Sequence, residues 1–191
     1  RGMPAMFWHA HEMVYGFGMA VVAGFLLTPI PNWTGRLPVR RTALAVLVSL
    51  WLAGRAAMLV PGAEWIDLAF PAMLIVVVAR ELIAGRNWRN LPMLVALMFF
   101  LTGNLLFHLG VYAGLRLGIA TLAMLIALVG GRIVPSFTRN WLAKQGPRAR
   151  LPAPEGAFDR AALLVTLVAL ASWVLDLTPW LLVVAGVLLA V

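Results

Sequence analysis

Apolar residues run in long blocks, with charge confined between them. No charged residue falls between Met13 and Gly35, and none between Asn90 and Leu115. A helix that crosses the hydrocarbon core of a bilayer needs about 20 mostly apolar residues. Charge and proline punctuation predict helices near 8–29, 42–60, 65–84, 91–113, 116–135, 158–176 and 179–191, the last cut short. Pro29, Pro31, Pro61 and Pro179 fall at predicted ends, where a missing N–H costs little. Pro71 falls inside the third predicted span and is expected to kink it, which neighbouring helices tolerate in a membrane. Alternation at period two is rare, so a transmembrane β-barrel is excluded. The expected fold class is all-α, a polytopic transmembrane helix bundle forming a single domain of about seven spans.

Composition sharpens this picture. Of 191 residues, 63% are apolar and 12% charged, whereas soluble domains run nearer half apolar and a quarter charged. Cysteine is absent, which removes disulfide frameworks and thiolate metal sites. The formal charge of +8 would suggest nucleic acid on a soluble chain. Its distribution says otherwise. Twelve of the fifteen basic residues lie in alternate connections: Arg36, Arg40 and Arg41; Arg80, Arg86 and Arg89; Arg132, Arg139, Lys144, Arg148, Arg150 and Arg160. Only Arg1, Arg55 and Arg116 fall toward the other face, together with the acidic Glu12, Glu64, Asp67 and Asp176. Cytoplasmic loops concentrate Lys and Arg, so the N-terminal end is expected to face outward. Trp33, Trp88 and Trp141 beside the basic loops, and Trp8, Trp65 and Trp180 at the opposite ends, form the aromatic belts of such a protein. The stretch from Ser136 to Ala157, rich in Pro and Arg, is expected to be a surface loop. A start at Arg1 and a stop at Val191 inside an apolar run are expected of a piece of a longer polytopic protein, whose further helices would be its partners along with the lipid bilayer.

The chain has three histidines, His9, His11 and His108, and the predicted topology sends all of them toward the outer face. His108 is expected about five residues before the outer end of its span, or about 7–8 Å deep. Ionisable side chains within a span are costly and mark functional sites by default. Two readings stand side by side: a metal or haem site, or polar side chains that join helices, with Asn104 one turn from His108. On a helix His9 and His11 point roughly 200° apart, so each would serve a different centre unless the segment is irregular there. One early histidine and His108 could sandwich a haem iron, and copper suits imidazole with thioethers such as Met3, Met6 or Met13. Glu12 could orient a ligating imidazole through its second nitrogen. Arg55, inside the second span, could snorkel, pair with Glu12 or Asp67, or hold a haem propionate. Arg80–Glu81 and Arg132 are expected to anchor helix ends at the basic face. Gly16, Ala20 and Gly24, each four apart, would let another helix approach closely. No phosphate loop, nucleophile elbow, HExxH or CxxC is present.

Three segments together carry a family resemblance. Phe7–Trp8–His9–Ala10–His11–Glu12–Met13, followed by Ala23–Gly24–Phe25–Leu26–Leu27–Thr28 and Pro31–Asn32–Trp33–Thr34–Gly35, resembles the NnrS family. So do Arg89–Asn90–Leu91–Pro92 with Asn104–Leu105–Leu106–Phe107–His108, and the run from Gly130 to Trp141. The resemblance implies a bacterial inner-membrane protein that holds haem and copper and acts in nitric oxide metabolism or resistance to nitrosative stress. It maps the family's histidines onto His9, His11 and His108, with the histidines toward the periplasm. The competing expectation is a polytopic transporter of a small solute or metal without bound haem, which broken helices or an internal repeat would favour.

Overall fold

A computed structural model describes residues 3–146, 156–177 and 186–187. Among them the chain is all-α. In order the helices are α1 (Ala5–Leu27), α2 (Ile30–Thr34), α3 (Thr42–Ala57), α4 (Ala69–Ala84), α5 (Leu91–His108), α6 (Ala113–Ala143) and α7 (Ala157–Val174). Single 3₁₀ turns, Glu64–Leu68 and Trp88–Asn90, lead into α4 and α5. Four segments are long and apolar enough to cross a membrane: Ala5–Leu27, Trp88–His108, Ala113–Ala143 and Ala157–Val174. Helix α3, of 16 residues, is apolar but shorter, and α4 has the same length. The predicted helix 179–191 lies outside the described residues, apart from 186–187.

The chain divides into two compact units, 1–119 and 120–191. The core of the first is built by α1, α3, α4 and α5, with Ile30 from the short α2. Leu26, Ile30, Leu74, Leu97 and Phe100 have no exposed surface, and Met19 and Val78 are almost as deeply buried. The outward faces remain apolar: Phe17, Val21, Val48, Val76 and Phe99 are all largely exposed. In water such a surface would drive association; against lipid tails it costs nothing. The second unit contains the remainder of α6 and the whole of α7, whose apolar surface is almost entirely uncovered.

Helix α1 is not uniform. Glu12–Gly18 forms a π-helical turn within it. A step of four residues on an α-helix overshoots a full turn by about 40°, and the wider i→i+5 turn rotates less per residue and counters that drift. His11, Tyr15 and Met19 therefore line up on one buried face.

Four sequence expectations need correction. Pro71 lies in the first turn of α4, where its missing N–H has no helical partner to lose, so it begins the helix and does not kink its middle. Helix α5 ends at His108, short of the predicted 113, because Gly110 turns the chain at φ +75° even though apolar residues continue beyond it. The predicted span 116–135 extends over Ala113–Ala143 with Pro135 inside it, so the segment after Ser136 is helical at first. At 31 residues α6 is about 46 Å long, beyond the roughly 30 Å apolar slab, and its basic last turns can stand clear of lipid. Gly24 meets no neighbour within 4 Å, so the small-residue stripe is used only at its start.

Candidate metal centre

Four elements converge on one buried polar cluster. Helix α1 brings His11 and Glu12, α3 brings Arg55, the 3₁₀ turn before α4 brings Asp67, and α5 brings Asn104 and His108. His11, Asp67 and Asn104 are at most 2% exposed, and the His108 side chain is fully covered.

Asp67 is the hub. Its Oδ2 lies 3.2 Å from His11 Nε2 and 3.6 Å from His108 Nε2. Asn104 Nδ2 donates to the same oxygen at 2.6 Å, and His11 Nε2 lies 2.9 Å from Asn104 Oδ1. The other carboxylate oxygen pairs with Arg55, whose guanidinium also pairs with Glu12. Glu12 in turn sits 3.2 Å from His11 Nδ1. One guanidinium thus faces two carboxylates, and the cluster carries one negative charge in excess before either imidazole is counted. A buried charge of that kind calls for a cation.

Close packing by glycine makes the arrangement possible. A Cβ on Gly16 would lie 2.6 Å from Arg55 Nη1, and one on Gly54 would lie 2.9 Å from Asp67 Oδ1. Trp51 closes the same contact by donating its indole N–H to the Gly16 carbonyl at 3.0 Å. Aromatic rings wall off the histidines. His11 stacks at 4.8 Å from Phe107 and 5.3 Å from Tyr15, and Trp65 lies 5.6 Å from His108. Tyr15 is itself fixed by donating to the Gly114 carbonyl at 2.6 Å.

Two features distinguish this cluster from an ordinary hydrogen-bond network between helices. Both ring nitrogens of His108 are buried and neither has a hydrogen-bond partner. A buried polar atom left so costs about 1–3 kcal/mol, which a packing residue would avoid. In addition, one donor atom from each of His11, Asp67 and His108 fits within a common span of 4.8 Å. Ligand atoms about 2.0–2.1 Å from a tetrahedral ion lie about 3.3 Å from one another. Two of the three spacings, 3.2 and 3.6 Å about Asp67 Oδ2, lie near that value. The three side chains form a group that could hold a metal ion.

A family described as NnrS protein matches residues 1–191. The chain belongs to the NnrS family. That places it among membrane proteins of a nitric-oxide-response family. No curated protein and no solved structure matches the chain.

In this NnrS-family chain the sequence-derived residues divide. His11, Glu12, Arg55, Asn104 and His108 come together, and His9 does not. His9 is exposed on α1, two residues from His11 and on another side of the helix. Asn104 joins His11 to Asp67 and makes no bond to His108. Arg55 takes both carboxylate partners at once, so it is buried between them and does not snorkel. Asp67 was legible as a partner for Arg55 but not as a metal-ligand candidate. The available signal was its place at the outer end of the third predicted span, level with all three histidines.

Proposed function

We propose that this NnrS-family protein holds a copper ion between His11, Asp67 and His108 and uses it in nitric oxide metabolism or resistance to nitrosative stress. The orphaned, fully buried His108 imidazole beside Asp67 carries this reading. Two imidazoles and a carboxylate suit copper or zinc by ligand type. Copper, when bound, would supply one-electron chemistry and a Lewis-acid site for a small diatomic ligand.

The chain's own residues support that role. Ligation through His11 Nε2 would replace its hydrogen bond to Asn104 Oδ1 and leave Nδ1–H to donate to Glu12, the outer-shell arrangement that fixes an imidazole's tautomer and orientation. Arg55 holds Asp67 and Glu12 in register, and Phe107, Tyr15 and Trp65 exclude water. Nitric oxide is small and apolar, so it can reach the cluster through lipid and the apolar helix faces. The distribution of Arg and Lys sends the cluster toward the periplasmic face of a bacterial inner membrane.

Haem, implied by the family resemblance, does not fit between His11 and His108. Their ring centroids are 5.2 Å apart, and the Asp67 carboxylate occupies the gap. The exposed His9 is left to serve a separate haem centre. Pro71, the candidate break in the sequence, lies in the first turn of α4 and lends the transporter reading no support.

Metal analysis and a visible spectrum of the full-length protein test both assignments. His11→Ala, His108→Ala and Asp67→Asn should each lose bound copper while keeping any Soret band, and His9→Ala should do the reverse. Copper content unchanged in all three cluster variants overturns the centre. A Soret band that survives His9→Ala but disappears in His108→Ala overturns the division of labour.

A further inference from the structure

At the opposite end of the same helices lies a second site with different chemistry. The segment Gly35–Arg40 folds back beside the C-terminal end of α4 and encloses a cleft of about 470 Å³. Arg36, Arg40, Arg80 and Glu81 line it, with Leu37 and Pro38 supplying an apolar wall. The segment is held in place. Asn87 donates its side-chain N–H to the Trp33 carbonyl, Thr34 packs where a Cβ on Gly85 would sit, and the Thr34 hydroxyl donates to the Ile30 carbonyl at 2.7 Å.

Glu81 organises the cations. It is 2% exposed, accepts Arg36 Nε at 2.7 Å on one oxygen, and accepts Arg80 Nε and Nη2 at 3.0 and 2.7 Å on the other. A carboxylate so placed satisfies the inner edge of each guanidinium and leaves other N–H groups available. The Arg36 side chain is 46% exposed and that of Arg80 66%. Arg40 lines the same cleft, is exposed, and forms no hydrogen bond or ion pair among the described residues. Three guanidiniums against one carboxylate leave an excess of two positive charges. A structural ion pair between helix ends would require only one arginine for Glu81. Arg36 and Arg80, held by Glu81, and the exposed Arg40 together line one cavity with a surplus of positive charge, which is what an anion site requires.

We propose that this cleft binds a phosphate group, either the headgroup of an anionic phospholipid or a free phosphate. The guanidinium fork matches phosphate oxygens in bidentate fashion. The cleft lies at the end of α4 that leads into the basic turn Arg86–Arg89, where the exposed Trp88 is of the kind that marks the level of lipid headgroups. Leu37 and Pro38 give the glycerol and upper acyl portion of a lipid an apolar wall to rest on. The site is independent of the metal centre and of any reading of its chemistry.

The test uses full-length protein purified from membranes containing phosphatidylcholine alone or mixed with phosphatidylglycerol, with retained lipid counted by native mass spectrometry. Calorimetric titration with inorganic phosphate in detergent forms the second arm. Arg40→Gln removes a cation with no partner and should leave the fold intact. Arg139→Gln makes the same change of charge outside the cleft. Preferential retention of phosphatidylglycerol that falls at least about fivefold in Arg40→Gln and not in Arg139→Gln supports a lipid headgroup. Inorganic phosphate binding with that same dependence, and lipid retention without it, supports a free phosphate. Equal loss in both variants would show only the diffuse field of a basic surface, and no loss in either Arg40→Gln or the double variant R36Q/R40Q would remove the site. Both of these outcomes overturn the proposal.

Discussion

Replacing Arg55 by Met removes the guanidinium that pairs with both Glu12 and Asp67. The side chain is 15% exposed, Glu12 14% and Asp67 2%, so water cannot fully solvate the carboxylates left behind. Loss of one member of a buried ion pair costs about 3–5 kcal/mol, mostly the penalty of an uncompensated charge. In a chain of this size each kcal/mol moves the midpoint of thermal unfolding by about 2–4 °C, so R55M should melt roughly 6–20 °C below the parent. Circular dichroism of the full-length protein in detergent measures it. The double variant R55M/D67N should recover part of the loss, because only Glu12 then remains unpaired. Arg55→Lys should fall between parent and R55M, since one ammonium cannot present the planar fork that serves two carboxylates at once. A shift in R55M of less than about 2 °C would refute the reasoning, for it would mean that the carboxylates carry no charge to balance.

Asp67→Asn preserves shape but removes the anionic donor, and should weaken copper binding by more than the roughly 10–100-fold expected when Glu12→Gln removes an outer-shell partner; competition against a chelator of known affinity measures both. Tyr15→Phe leaves the buried Gly114 carbonyl without its donor and should cost about 1–3 kcal/mol in the same melting assay, with copper content unchanged. Gly54→Ala places a methyl 3.1 Å from the Asp67 backbone Cα, a contact that flexible side chains cannot relieve; a loss of about 1–3 kcal/mol together with weaker copper binding is the expected result.

Burial explains why the cluster takes the form it does. Within an apolar bundle polar atoms need partners, and His11, Glu12, Asp67, Asn104 and the Nη groups of Arg55 find them among themselves. Arg55 Nε and both ring nitrogens of His108 are buried without one, and His108 Nε2 lies 3.6 Å from the most heavily used oxygen in the network. A bound cation would complete the set by balancing the surplus carboxylate and occupying the free imidazole.

The order of apolar blocks was enough to determine that the chain is helical and membrane-embedded, because hydrophobic length and the cost of charge in lipid are local properties of sequence. Charge counting separated a basic end from an end that holds the histidines and most carboxylates. Residue type then selected His9, His11, Glu12, Arg55, Asn104 and His108 as side chains too costly to lie in a bundle without purpose. Helix ends were less legible: Gly110 stops α5 inside an apolar run, and α6 passes through Pro135, since both depend on backbone geometry that apolarity does not encode. Helical spacing already set His9 and His11 on different sides of α1, and only the tertiary structure showed that the His11 side is the buried one. Only it brought Asp67 between the two histidines, through the close approach that Gly54 permits. Metal ligation is decided by distances of 3–4 Å between atoms far apart in sequence, and those distances are set by how helices pack, which no spacing along the chain contains.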